Sequence, residues 1–303
     1  MDIWGDTNID FLGKRRIAFF LSGIFSVIGL IAILAIPLGK ANLGTDFSGG
    51  VAVQFRFEKP VETEKVRDLL EVAGIKDAIL QEFADSTKLL IKIKKGERDL
   101  RGVSTSLSEV LAKGLADNPF TIDQTIEIGP TVGKKLQKDA LWAIFISLAG
   151  ILMYIAWRFE FRFGVAAAVA TFHDVLVVLA ALLLMNKEIN LLIVTALLTI
   201  AGYSLTDTVV VFDRIRENLR KKREGESLEG LMNRSVNEVL RRTIVTAGTT
   251  LLVLIAMLIM GGEVIHDFSL TLFLGVIVGT YSSIFVASPL MLLWKGKGKL
   301  IRE

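Results

Sequence analysis

The chain has no cysteine and only two histidines, His173 and His266. The first absence excludes a disulfide framework, a thiolate metal site and a catalytic thiol. Two histidines so far apart in sequence are too few for a metal cluster, and no cofactor is expected. Charge is scarce as well. Of 303 residues, 22% are Asp, Glu, Lys or Arg while 52% are apolar, and the mean hydropathy is +0.54. A soluble chain carries about 25% charge and no long uncharged stretch. Here the apolar residues gather in blocks of about 18 to 27, long enough to cross a hydrocarbon layer about 30 Å thick. A soluble protein is excluded. The net charge of +3 is weak support for a nucleic-acid partner; the positions of the basic residues explain it better, and no nucleic acid is expected.

Six blocks qualify as spans: Ile17–Ile36, Ala140–Trp157, Phe163–Met185, Ile189–Val211, Thr243–Met260 and Phe268–Trp294. A polar stretch of about 100 residues separates the first two. Basic residues near span ends stay cytoplasmic. On one side stand Lys14, Arg15 and Arg16, then Arg158 and Arg162, nine Lys and Arg between Arg214 and Arg242, and Lys295, Lys297, Lys299 and Arg302. The other side, outside the long stretch, has Lys187 alone. Eighteen against one predicts cytoplasmic termini and an exported segment over residues 40–138. The expected layout is a cytoplasmic N-terminus (1–16), a first span (17–36), an exported domain (37–139), a five-span bundle (140–294) with a cytoplasmic loop at 213–242, and a cytoplasmic tail (295–303). Lys14–Arg16 before an apolar run also fits a signal peptide, but Pro37-Leu38-Gly39-Lys40 offers no small-residue cleavage pattern, so an uncleaved anchor is expected.

The exported stretch changes periodicity. Val51–Phe57 reads as a strand, and Glu62–Ala73 as a helix with Val66, Leu69, Leu70 and Ala73 on one stripe, closed by Gly74. Ala78–Ala84 and Lys88–Lys94 read as strands joined at Asp85-Ser86. Asp99–Leu115 is a second amphipathic helix with Leu100, Val103, Leu107, Val110 and Leu111 inward, and Phe120–Ile128 a last strand. This order, β-α-β-β-α-β, is the split βαβ or ferredoxin-like arrangement. The predicted fold class is therefore a polytopic α-helical membrane protein with six spans and one exported α+β domain. That domain carries no His, no forced acid pair and no nucleophile–base pattern, so a binding or lever role is expected rather than an enzyme. Gly129-Pro-Thr-Val-Gly133-Lys134-Lys135 is one residue short of a phosphate loop and lacks Ser or Thr after the lysine. ATP is not expected as a direct energy source.

A charge in hydrocarbon costs about 2.5 to 3.5 kcal/mol or more, so those inside the spans need a reason. The third span carries His173-Asp174 at its midpoint. The fourth carries Asp207, six residues before Asp213 at the boundary and so about 9 Å inside. Around Asp207 lie Gly202, Tyr203, Ser204, Thr206 and Thr208, small or hydroxylated residues able to pack closely and bond a carboxyl. Arg242 opens the fifth span from the same side, with Arg241 beside it, and its side chain can reach toward Asp207. Gly275 and Gly279 stand at GxxxG spacing before Ser282 and Ser283, a pattern that favours helix packing over gating. Two readings stay open for the acids: buried, hydrogen-bonded groups that fix helix register, or a proton relay in which Arg242 approaches and leaves Asp207. The second is favoured for Asp207. Gly44–Gly50 follows the first span, and its glycines Gly44, Gly49 and Gly50 permit backbone angles other residues avoid; with Asp46 it is expected to act as a coupling joint.

These residues resemble one family. Gly44-Thr-Asp-Phe-Ser-Gly-Gly50 looks like the signature of bacterial SecD and SecF, and Gly202–Glu217 is similar to the SecF branch in particular. Asn8–Phe11, His173-Asp174, Arg242-Thr243, Gly248–Thr250, Phe268–Thr271 and Ser282–Ala287 match in the expected order, over most of the chain. Most members carry Asn before the intramembrane Asp, where this chain has Thr206. The resemblance implies an RND-type inner-membrane subunit without catalytic residues. It would pair with SecD, associate with the SecYEG channel and a YajC-like accessory subunit, and use the proton-motive force to draw unfolded preproteins outward across membrane lipids. Asp207, Arg242, Asp174 and His173 would relay protons, with Thr206, Tyr203 and Asp213 in support. A structural assembly subunit is the alternative. An intramembrane aspartyl protease is a weaker one, since the local motifs before Asp174 and Asp207 are absent.

Overall fold

In the computed structural model, residues 7–36, 38, 41–75, 78–83, 85–94, 102–158, 161–222 and 225–294 are described. Expectations for Pro37, Gly39, Lys40, Ala84, Leu100, Arg223 and the basic tail 295–303 lie outside the described residues. In chain order the elements are α1 (Arg15–Ala35), α2 (Thr45–Ser48), β1 (Gly50–Phe57), α3 (Thr63–Val72), β2 (Ala78–Glu82), β3 (Lys88–Lys94), α4 (Val103–Gly114) and β4 (Phe120–Ile128). Then come α5 (Pro130–Arg158), α6 (Phe161–Leu184), α7 (Leu191–Arg220), α8 (Leu228–Met260), α9 (Gly262–Ser282), a π-helical turn over Ser283–Ala287, and α10 (Ser288–Leu290). Six helical stretches are long and apolar enough to span a membrane: Leu12–Ala35, Pro130–Arg158, Phe161–Leu184, Leu191–Arg220, Leu228–Met260 and Ile265–Leu290. The protein is a multi-pass membrane protein.

The four strands form an antiparallel sheet in the order β2-β3-β1-β4, the ferredoxin-like arrangement. Alternation explains the register. Val51, Val53 and Phe55 face Ile93, Ile91 and Leu89 across β1 and β3, and all six are buried with Val66 and Leu70 of α3 and Leu107 and Leu111 of α4. Phe55, Phe57 and Phe120 close one end, with ring centroids 5.2 to 6.4 Å apart.

Within the bundle α6 is the most enclosed helix, because Ala166, Ala167 and Ala170 let neighbours approach. A Cβ on Gly29 of α1 would sit 2.1 Å from the Leu176 carbonyl oxygen of α6, so only glycine fits that crossing. A Cβ on Gly275 or Gly279 would meet Ile200 or Ser204 of α7; the GxxxG spacing packs α9 onto α7.

The stretch 213–242 is not a loop. Helix α7 continues to Arg220 and α8 begins at Leu228, capped by the Ser227 hydroxyl, which accepts from Gly230 N. These extensions bury Phe212, Ile215, Leu231, Met232 and Val236 in a shared core, and their charged faces are tied by ion pairs within and between the two helices. Arg214 reaches Glu238 at 2.6 Å and Glu217 at 2.7 Å, Arg234 reaches Glu238 at 3.2 Å, and Asn218 donates to both Ser235 and Glu238. The segment before α1 lies against α8, where Asn233 and Asn237, one helical turn apart, bond the backbone of Ile9 and Phe11 at 2.9 Å.

Candidate functional site

The intramembrane acids sit on adjacent helices and are held from a third and a fourth. Asp174 of α6 is fully buried. Its Oδ2 accepts from the Ser204 hydroxyl of α7 and, at 2.8 Å, from the Ser282 hydroxyl of α9. Its Oδ1 lies 3.0 Å from Nδ1 of His173. Asp207 of α7 is half-buried, with Oδ1 accepting from Thr243 of α8 and Oδ2 from Ser283, the first residue of the π-helical turn that follows α9, both at 2.9 Å. Adjacent serines at the junction of α9 and the π-helical turn thus bond acids on two different helices.

Asp207 also borders a cleft of about 110 Å³ lined by Tyr203, Thr206, Val210, Arg242 and Thr246. Arg242 is exposed there and has no ion pair within 4 Å among the described residues. It shares the cleft with Asp207 but is not bonded to it. Around the cleft, Gly202 and Gly248 have open space where a Cβ would stand, and Thr206 and Thr249 are exposed with their hydroxyls turned to their own helices. This polar, small-residue face of α7 and α8 is covered by no other part of the described chain. His173 Nε2, Thr171 Oγ1 and Thr208 Oγ1 are buried without a hydrogen-bond partner among the described residues.

Several expected neighbours are elsewhere. Ser204 serves Asp174, not Asp207. Thr206 donates to the Gly202 carbonyl at 3.1 Å, so it does not bond the carboxyl beside it. Asp213 is exposed, 3.9 Å from Arg158. The serines of α9 and Thr243 are the bonding partners that sequence reasoning did not assign.

The Gly44–Gly50 segment docks on the bundle near the start of α7. Gly44 N donates to Ile189 O at 2.9 Å, and Ile189 N to Asn42 O at 2.8 Å. The Asp46 carboxylate accepts from Leu191 N at 3.0 Å, placing an anion at the positive end of α7. Gln137 of α5 donates to Phe47 O at 2.9 Å, and a Cβ on Gly133 would lie 2.6 Å from that oxygen. Gly49 has φ +76°, and a Cβ on Gly50 would stand 2.3 Å from Ile93 O. Lys94 of β3 pairs with Glu188 at 2.5 Å and bonds Asn42 at 2.8 Å. The sheet is therefore fastened to the helix that carries Asp207.

Comparison with known proteins follows the same lines. A family described as protein export membrane protein SecD/SecF, C-terminal, matches residues 108–297. The protein translocase subunit SecF of Thermodesulfovibrio yellowstonii is 54% identical over 304 residues, covering 100% of both chains. That of Calditerrivibrio nitroreducens is 43% identical, covering 98% of this chain and 97% of the relative. The crystal structure of SecDF, a translocon-associated membrane protein from Thermus thermophilus, is 36% identical with a TM-score of 0.79. The match covers 97% of this chain and 40% of that one.

Proposed function

The chain belongs to the SecF branch of the SecD/SecF family of protein-export membrane proteins, and from that premise we propose that it is a proton-driven subunit of the export machinery. It pairs with SecD, stands with the SecYEG channel and a YajC-like subunit in the inner membrane, and helps draw unfolded preproteins outward. The observation that carries the reading is the Asp207–Arg242 cleft: a carboxyl and an unpaired guanidinium share one cavity without bonding. A permanent ion pair would hold the acid charged. A cation that approaches and leaves lets the acid release and take a proton in turn. The uncovered small-residue face around the cleft suits close packing of a partner helix, and the SecDF chain, of which this one spans 40%, supports SecD as that partner.

Coupling to export runs through α7. The Asp46 bond fixes the exported segment to the first residue of α7, and Asp207 lies 16 residues on, about 24 Å along the same rod. A tilt of α7 as Asp207 changes its proton is thereby felt at Gly44–Gly50 and in the sheet. The second reading, an assembly subunit with the acids as helix glue, draws on the same hydroxyl bonds.

The experiment that separates them is export into vesicles driven by an imposed proton gradient. Asp207→Asn and Arg242→Ala should each bring export down to the level without a gradient while still assembling with SecD. Asp207→Glu should keep part of it, since it retains a titratable group. Wild-type rates in Asp207→Asn would leave glue as the role of the acid.

A further inference from the structure

Four hydroxyls hold the two acids, and only two of them have a choice. Ser282 Oγ lies 2.8 Å from Asp174 Oδ2 and 3.1 Å from the Gly279 carbonyl oxygen. Ser283 Oγ lies 2.9 Å from Asp207 Oδ2 and 3.0 Å from the Thr280 carbonyl oxygen. A hydroxyl has one proton to donate, so each serine bonds either the carboxyl or its own helix. Ser204 and Thr243 have the carboxyl as their one hydrogen-bond partner among the described residues. The two serines with a choice are consecutive, at the place where α9 passes into the π-helical turn, a geometry found often at functional sites. The Ser288 hydroxyl donates to Ser283 O at 2.8 Å within that turn.

We infer that Ser282 and Ser283 are positioning residues that convey the protonation of Asp174 and Asp207 to a single turn of α9. The inference rests on the proton-driven reading above. A carboxylate can only accept, so the serine proton points to it. Once the carboxyl takes a proton, its own O–H donates to the serine oxygen, and the serine proton turns to Gly279 or Thr280. One proton is added and every oxygen stays bonded. A serine that bonds back to the preceding turn bends its helix, here beside a turn already widened. Loading either acid therefore acts on the same point of α9, which couples α6 and α7 without contact between their carboxyls. The other titratable or charged groups facing the pair are His173 on α6, Tyr203 on α7 and Arg242 on α8. On α9 the one such group after Asp267 is Tyr281, whose hydroxyl donates to the Ala18 carbonyl of α1 at 3.1 Å and lies 3.2 Å from Ser22; α1 has none after Arg16.

The test uses the full chain assembled with SecD, and reads both gradient-driven export against pH and the infrared difference bands of the protonated carboxyls. Ser283→Val removes the hydroxyl, and Ser283→Thr keeps it at similar size. Valine should lower export about tenfold, the scale of one lost hydrogen bond, and displace its pH profile; threonine should restore both. The band that vanishes in Asp207→Asn should shift in Ser283→Val and stay fixed in Ser282→Val, and the Asp174 band should do the reverse. Where valine impairs assembly, Ser283→Ala gives the same infrared reading. Unmoved bands, or a wild-type pH profile in an assembled Ser283→Val protein, overturn the inference while leaving the Asp207 relay intact. Normal export in Asp207→Asn overturns the relay, and the inference with it.

Discussion

A carboxyl enclosed by hydrocarbon needs hydrogen-bond partners, and Asp174 has donors from α7 and α9 and the Nδ1 of its own neighbour His173 at 3.0 Å. Removing one donor should cost about 0.6 to 1.7 kcal/mol, the range for hydrogen bonds between membrane helices. Removing the acceptor strands several donors at once and should cost about 1 to 3 kcal/mol. Ser204→Ala is therefore expected to lower stability modestly and Asp174→Ala more, measured by thermal unfolding of the solubilised protein. An Asp174→Ala protein as stable as wild type would deny the acid any part in holding α6, α7 and α9 together. The acids themselves were legible in the sequence, since a charge in an apolar run stands out. Their partners were not. Ser204 precedes Asp207 by three residues, yet it turns to α6 while Asp207 turns to α8 and α9. Which way a hydroxyl faces depends on helix rotation, and one sequence does not report it. Ser282 and Ser283 looked like ordinary small residues of a packed helix for the same reason.

Between the sheet and the bundle, the joint depends on glycines placed where side chains do not fit. Gly49→Val puts a branched residue at φ +76°, a strain of about 1 to 2 kcal/mol, and Gly50→Val drives a side chain toward the Ile93 carbonyl. Both are expected to impair export in protein that still assembles with SecD; normal export in both would remove the joint from the coupling path. At the far edge of the sheet, Arg56 donates to Asp123 at 2.8 to 3.0 Å and holds its carboxyl below the ordinary value of 3.8. A folded-state value below the unfolded one contributes stability above the unfolded value, lost as pH falls through the folded value. Wild type should thus protect β4 amides slightly better than Asp123→Asn at neutral pH, and the difference should vanish in strong acid. Hydrogen exchange of both proteins at matched pH checks it, and a gap that widens in acid would contradict the sign. The bounds of strands β3 and β4 were legible to the residue; alternation carries the register of β3 against β1, while a bulge between Gln54 and Phe55 shifts that of β4. The helical ends at 213–220 and 228–242 were misread as loop because their charge density looks like solvent-facing coil. Their i,i+3 and i,i+4 pairs, Arg214–Glu217, Glu217–Lys221 and Arg234–Glu238, are the helical signal that was passed over.

Seen whole, the chain separates its charges in a way that sets its direction in the membrane. The long helical extensions of α7 and α8, the N-terminal segment clasped by Asn233 and Asn237, and the Arg158 end of α5 gather on one side. The sheet, the α6–α7 turn with Lys187 and Glu188, and the α8–α9 junction gather on the other. Basic residues are retained on the cytoplasmic side, and eighteen of them outside the sheet domain stand against one. The orientation we propose on that count has the sheet outside and the α7–α8 extensions inside. The absence of cysteine makes the test clean, since a single introduced thiol is the only one to label. Ser86, exposed in the β2–β3 turn, suits the outer position. Ser227 caps α8, so Lys221, exposed at the end of α7, is the better inner one. In intact cells a membrane-impermeant maleimide should label Ser86→Cys and spare Lys221→Cys until the membrane is opened. Labelling of both from the same side would break the proposed orientation, and with it the proposed separation of an outer lever domain from a proton site entered from within.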